Sequence, residues 1–237
     1  MKKKCYFVMG AKGGVGKTII ELLLANYFSS RGINFVAFDA DGENRGKSSS
    51  FAHAYPHAKD VNLKDVEALD SLLREASEND ITLVDLPANA SADFIGWFSQ
   101  IASPETLDYL NLELIAIGVI TPEQGTLSSV IEWAQKLQDS CSYWVVLNER
   151  VANPAGKAKE ALFLEYYGTE IGRQFKQVAK PTEVHIPFLY PGTAAQLARA
   201  AMLPHEALEG KKIDFLNGCR LRDWVKKVEV QLEEAID

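Results

Sequence analysis

The stretch FVMGAKGGVGKTII, from Phe7 to Ile20, holds residue types that could grip the phosphates of a nucleotide. It follows the pattern G-x-x-x-x-G-K-[ST], except that Ala11 stands where the first glycine belongs. It also carries a second lysine, Lys12, that the general pattern does not require. Gly13, Gly14 and Gly16, with Val15 among them, let backbone N–H groups turn inward around phosphate oxygens at the start of a helix. The same spacing brings Lys17 to the β- and γ-phosphates and the Thr18 hydroxyl to a Mg2+ ion.

Such a loop works only if a buried strand leads into it and a helix leads out, and the flanking residues are of the right kind. Apolar runs alternate with helical patterns from end to end, the signature of a parallel sheet flanked by helices. Strands are expected over residues 5–9, 34–39, 81–85, 112–120, 143–148 and 183–186. Their near-continuous Val, Ile, Leu and Phe content suits strands buried on both faces. Helices are expected over residues 18–30, 63–77, 92–103, 122–139, 155–175, 193–201 and 219–235. Gly32 and Asp80 punctuate two of the helix-to-strand turns. Residues 42–60, with RGKSSS among them, are polar and are the expected mobile loop. No repeat, low-complexity tract or linker divides the chain, so one α/β domain over residues 1–237 is expected. The first strand begins so early that no DNA-reading domain is expected ahead of it.

Composition removes several classes. The chain is 47% hydrophobic and 24% charged, as in ordinary globular proteins, and has no run of eighteen apolar residues to span a membrane. MKKKCYFVMG has a basic start but too short an apolar run for a signal peptide, so a cytoplasmic location is expected. Cys5, Cys141 and Cys219 are odd in number and far apart, which argues against a disulfide framework or a cysteine-held cluster. His53 and His57 have a spacing a helix could use for a metal, but Pro56 intervenes and no third ligand stands nearby, so they read as surface loop residues. A net charge of −7 argues against a chain devoted as a whole to nucleic acid. Local basic patches remain at Lys2, Lys3 and Lys4 and in GCRLRDWVKK.

KGGVGKT resembles the deviant Walker A motif of the ParA/MinD superfamily of P-loop ATPases. In that superfamily the position of Ala11 is variable, and Lys12 matches a signature lysine that reaches across a nucleotide-sandwich dimer to the partner's ATP. FVAFDADGEN resembles the superfamily's switch I, which implies that Asp41 orients the attacking water and Asp39 supports the Mg2+ shell. Gly42 and Glu43 depart from that motif, standing where it has Pro and Gln. ITLVDLPA resembles a Walker B strand, with Asp85 holding Mg2+ through water and Pro87 opening switch II. WVVLN resembles the strand whose final residue, here Asn148, bonds the adenine edge, and the sequence Asn148-Glu149-Arg150-Val151 lacks the guanine-reading N-K-x-D pattern. In VHIPFLYPGTAAQLARAAMLP, Pro187 and Phe188 match residues that wall the base; the alternative is that they are ordinary strand-end turn residues. The resemblance spans residues 6 to about 208 and implies ATP and Mg2+ as cofactors and a three-layer P-loop NTPase fold.

MGAKGGVGKTII, DLPANASADFI, GVITPEQGTLSSVIEWA and WVVLNERVANP look most like small plasmid ATPases of the StbB and TraL sort. That resemblance implies an ATP-dependent homodimer acting in plasmid or mobile-element partition, stability or conjugative transfer, with an adaptor or relaxosome-type partner. No strong base is present, so slow, partner-stimulated hydrolysis is expected. Non-specific DNA binding would fall to Arg220, Arg222, Lys226 and Lys227, whose helix also carries the apolar stripe Leu221, Trp224, Val225, Val228 and Leu232. The alternative for those residues is a helix packed on the core with a solvated basic rim. A MinD-like membrane tail fits poorly, because the chain ends in the acidic VQLEEAID. A cluster-carrying scaffold lacks suitably placed cysteines. A dethiobiotin-synthase-like ligase, and a protein using ATP only as a conformational ligand, stay open.

Overall fold

Runs of Val, Ile, Leu and Phe can stay extended and dry only if both sides of the strand are covered, and the chain meets that demand with one central sheet. The computed structural model describes residues 2–10, 12–41, 51–87, 92–153 and 156–237. Among them the strands are β1 (Lys3–Met9), β2 (Val36–Asp39), β3 (Lys59–Asp60), β4 (Ile81–Asp85), β5 (Leu112–Ile120), β6 (Ser142–Asn148) and β7 (Thr182–Ile186). They form a seven-stranded sheet in the order β3-β2-β4-β1-β5-β6-β7, and every pairing is parallel.

Successive strand residues alternate between the faces. On β1, Cys5, Phe7 and Met9 enter one core while Tyr6 and Val8 enter the other. The first core is closed by α3 (Val66–Glu78), α4 (Ala92–Ile101), α5 (Pro104–Tyr109), α6 (Thr126–Leu137), α8 (Leu164–Gly168) and α9 (Glu170–Ala179). The short α7 (Lys159–Leu162) precedes α8. The second core is closed by α1 (Lys17–Ser30), α2 (Phe51–Ala54), α10 (Pro191–Ala200), α11 (Pro204–Glu209) and α12 (Phe215–Ile236). The result is a three-layer α/β P-loop NTPase fold. Each large side chain fully buried in these layers contributes about 1.5–3 kcal/mol.

Three expectations need correction. Residues 155–175 are not one helix: Phe163 leaves helical geometry between α7 and α8, and Thr169 caps α9 by accepting from the Gly172 N–H at 3.1 Å. The helix expected over 92–103 ends at Ile101, and Ser103 caps a separate helix that begins at Pro104. Of the expected mobile loop, residues 51–60 supply α2 and the edge strand β3, and residues 42–50 lie outside the described residues.

The C-terminal α12 buries Leu221, Trp224, Val225, Val228 and Leu232 against the second core. Its Trp224 Nε1 donates to the Pro187 carbonyl at 2.7 Å, tying the helix to the end of β7. Among the described residues no helix is long and apolar enough to cross a membrane.

Candidate functional site

In a parallel sheet the carboxyl ends of the strands share one edge, and ligands bind in the crevice outside it. The sequence-predicted residues of β1, β2, β4, β6 and β7 all fall at that edge. β1 ends at Met9 and runs into a loop in which Gly10, Gly14 and Gly16 have φ of 131°, 72° and 102°. A side chain at Gly16 would be strained by that φ, and its Cβ would stand 2.4 Å from Asn148 Nδ2. Gly16 is also the N-cap of α1 and, as a glycine, has no side chain with which to cap the first N–H groups of the helix. Those N–H groups and the positive end of the helix dipole suit an anion.

Lys17 is buried and donates from Nζ to the Lys12 carbonyl at 3.1 Å, so its ammonium is folded across the mouth of the loop. Burial lowers its pKa, while the nearby Asp85 and Asp41 charges raise it. The Thr18 hydroxyl donates to Asp85 Oδ2 at 3.1 Å. Asp85 lies opposite Asp39 in the β2–β4 register, and both are buried. Burial, with the Asp39 charge next in weight, pushes the Asp85 carboxyl up to about 7, against the Thr18 hydrogen bond. Burial likewise raises Asp39, although its Oδ1 and Oδ2 accept from the Asp41 and Ala52 N–H groups, each at 3.0 Å. Asp41 follows the end of β2 and is half-buried. Ala11, Gly42 and Glu43, which carry the departures from the expected motifs, lie outside the described residues.

This donor set is made of hard oxygens, a hydroxyl and carboxylates destabilised by burial and by one another, and it fits a Mg2+ ion. The glycine loop fits a nucleotide's phosphates. Pro87, the expected opening of switch II, is half-buried two residues after Asp85.

Asn148 is buried, and its Nδ2 donates to the Val15 carbonyl at 2.8 Å, so in this chain it buttresses the phosphate loop from below. The ends of β6 and β7 are joined by the Glu149 N–H, which donates to the Ile186 carbonyl at 2.9 Å, and by His185 and Glu149 side chains 2.8 Å apart. Pro187 and Phe188 follow directly and are half-buried. Lys12 does not extend outward: its Nζ donates to the Gln124 carbonyl at 2.8 Å and stands 3.5 Å from Glu123 Oε2.

The four basic residues of α12 are exposed, but they are not one patch. At about 100° per residue, Arg222 and Lys226 fall on one flank and Arg220 and Lys227 on the other, with Asp223 between them. Arg220 stacks over the Tyr190 ring at 4.7 Å and donates to Asn217 Oδ1, and Lys227 pairs with Asp223 at 2.7 Å.

A model of the CobQ/CobB/MinD/ParA nucleotide-binding domain matches residues 6–166 of the chain. The chain belongs to this family. The CobQ/CobB/MinD/ParA match begins within β1 and ends within α8, so it takes in the glycine loop, Asp39, Asp41, Asp85 and Asn148. No curated protein matches the chain in sequence. Among solved structures, the MinD cell division protein of Aquifex aeolicus is 15% identical, with a TM-score of 0.56, covering 98% of this chain and 97% of that one. The MinC:MinD cell division protein complex of Aquifex aeolicus gives 14% identity and a TM-score of 0.54, over 94% and 95% of the two chains. A nucleotide-binding protein from Archaeoglobus fulgidus, solved in complex with ADP, gives 18% identity and a TM-score of 0.53, over 84% and 86%. At these identities the likeness is one of fold.

Three residues of this CobQ/CobB/MinD/ParA domain escape motif reading. Glu21, on α1, is wholly buried, and burial, with the Asp85 charge next in weight, raises its pKa well above the ordinary value against a contact with the Val8 backbone. A lone charge inside IIELLLA was a visible signal for it. Glu123 and Arg150 meet at 3.6 Å beside the glycine loop, a pairing that no local pattern encodes.

Proposed function

We propose that the chain is a ParA-like ATPase that hydrolyses ATP to ADP and phosphate and uses an ATP-dependent homodimer as a switch. The processes it serves, on this reading, are plasmid or mobile-element DNA partition, stability or conjugative transfer in the cytoplasm, as in ATPases of the StbB and TraL sort. The observation that carries the reading is Lys12 at the mouth of a glycine loop whose Lys17, Thr18 and Asp85 are already gathered.

ATP would enter with its phosphates against the N–H groups of Gly13, Gly14, Val15 and Gly16. Lys17 would exchange the Lys12 carbonyl for the β- and γ-phosphate oxygens. Thr18, Asp85 and Asp39 would hold Mg2+, which when bound neutralises phosphate charge. Asn148, Pro187 and Phe188 would enclose the adenine. Asp41 would orient the water that attacks the γ-phosphorus, and Lys12 would cross to the partner's ATP, so that hydrolysis dissolves the dimer. A carboxylate that only positions water gives slow turnover, which suits a timer stimulated by a partner protein.

A second reading, a switch that acts on a protein partner without binding DNA, is favoured by the division of the basic residues of α12 around Asp223. The same helix exposes Phe215 and Leu216 at its start, close in the chain to Arg220, which covers the exposed Tyr190. The two readings separate in a titration of non-specific duplex DNA with ATP·Mg2+, ADP·Mg2+ or no nucleotide across a salt series. ATP-selective binding that weakens steeply with salt supports the DNA switch. No binding in any state, with the ATP dimer present, removes DNA and leaves the protein partner.

A further inference from the structure

The mouth of the phosphate loop holds more positive charge than the loop motif accounts for. Arg150 Nη1 stands 4.0 Å from the position a Cβ on Gly14 would occupy, so the guanidinium overhangs the glycine turn. The same Nη1 is 3.6 Å from Glu123 Oε1, and the other oxygen of Glu123 is 3.5 Å from Lys12 Nζ. One carboxylate therefore sits between two cations at the place where a nucleotide's phosphates would bring negative charge. We propose that Arg150 is a third phosphate-binding cation of this site, and that Glu123 holds it, together with Lys12, until a triphosphate takes Glu123's place. The proposal rests on the nucleotide reading above.

The mounting of both residues suits that exchange. Arg150 stands on a pinned turn, since its N–H donates to the Asn148 carbonyl at 3.0 Å and the adjacent Glu149 N–H donates to Ile186. Its side chain is 43% exposed, so the guanidinium can swing while its base stays fixed. A planar fork of donors suits phosphate oxygens, and charge-assisted bonds of this type are the stronger ones. Glu123 belongs to the turn between β5 and α6. The Thr126 hydroxyl donates to the Thr121 and Glu123 carbonyls, and the Gly125 N–H donates to both carboxylate oxygens of Glu165 on α8. A triphosphate that draws Arg150 to itself strips Glu123 of one counter-ion and repels it, which loosens its hold on Lys12. The turn that leads α6 then has reason to move, and Lys12 is free to reach outward.

The test compares the affinities of the wild-type chain and of Arg150→Ala, Arg150→Lys, Glu123→Ala and the double alanine variant for ATP, ADP and AMP. Each is measured with Mg2+ by displacement of a fluorescent ADP analogue, on protein whose thermal unfolding matches the wild type. Arg150→Ala is expected to weaken ATP about tenfold or more while AMP changes little. Arg150→Lys should recover part of the loss. Glu123→Ala should tighten ATP severalfold at low salt, and that gain should shrink when Arg150 is also alanine. Unchanged ATP affinity in Arg150→Ala, or an equal loss for AMP and ATP, overturns the proposal; so does a Glu123→Ala variant that binds ATP no more tightly. A wild-type chain that bound no nucleotide would bring down the nucleotide reading and this proposal together. Normal wild-type binding with an inert Arg150→Ala brings down this proposal alone.

Discussion

Asp85 is a carboxylate placed where its charge is least welcome. It is buried, faces Asp39 across the β2–β4 register, and accepts a hydrogen bond from the Thr18 hydroxyl. Its folded-state pKa of about 7 lies far above the ordinary 3.8, so the folded chain binds this proton more tightly than the unfolded chain does. Stability of the nucleotide-free protein should therefore fall as pH rises from about 4 to 7, and remain reduced above that. Asp85→Asn should remove this cost, stabilising the chain at pH 8 by up to about 4 kcal/mol and changing little near pH 4. Urea denaturation at the two pH values checks it, and equal midpoints for variant and wild type at pH 8 would mean that Asp85 is already compensated. Glu21 shifts in the same direction, so some slope should survive in the variant. At this scale the sequence was legible where spacing along the chain is itself the chemistry, as with Gly16, Lys17 and Thr18. It was silent where partners meet only through the fold, as Glu123 does with Lys12 and Arg150.

Elements were legible in proportion to how uniformly they are buried. The bounds of β4 and β5 match their expected residues throughout, because each is an apolar run. The short edge strand β3 has only Lys59 and Asp60, both exposed, and carries no pattern. The breaks around α8 were hidden because Gly172 looks harmless in sequence. In the fold a Cβ there would lie 2.2 Å from the Tyr166 carbonyl, so α9 folds closely back on α8. Gly118 is the corresponding contact between sheet and helix. It pairs with Met9 and Val145 in the middle of the sheet, and a Cβ on it would meet Val130 of α6 at 2.4 Å. Gly118→Ala should overpack this layer and destabilise the chain by about 1–3 kcal/mol. Adding Val130→Ala should return part of the loss, although it leaves its own gap in the core. Chemical denaturation of the two single variants and the double variant measures the coupling, and strict additivity would show that the β5–α6 contact is not the cause.

For the molecule as a whole, the parallel sheet gathers the ends of β1, β2, β4, β6 and β7 into one crevice, and the proposed function needs two such crevices facing each other. Lys12 is the residue on which that arrangement should depend. Lys12→Ala is expected to abolish ATP-induced dimerisation, read by light scattering, while the monomer keeps most of its nucleotide affinity. A variant that dimerises as the wild type does would leave Lys12 without a cross-subunit role. The fold class was readable from the alternation of strands and helices, and the edge of the sheet that carries the site followed from that class. The apolar stripe of α12 was legible as well, and burial follows it at Leu221, Trp224 and Val228, whereas the stacking of Arg220 over Tyr190, which lies outside that helix, was not. The central place of β1 has a further consequence, in time. β1 and the phosphate loop leave the ribosome ahead of the strands they pair with, since β1 takes its hydrogen bonds from β4, beginning at Ile81, and from β5, beginning at Leu112. The loop's buttress, Asn148, comes later still, and α12, bonded to Pro187 through Trp224, follows it. Contacts so distant in sequence form slowly. The segment that would grip the nucleotide is thus made early and shaped late, and a nascent chain carries its binding loop well before that loop can bind.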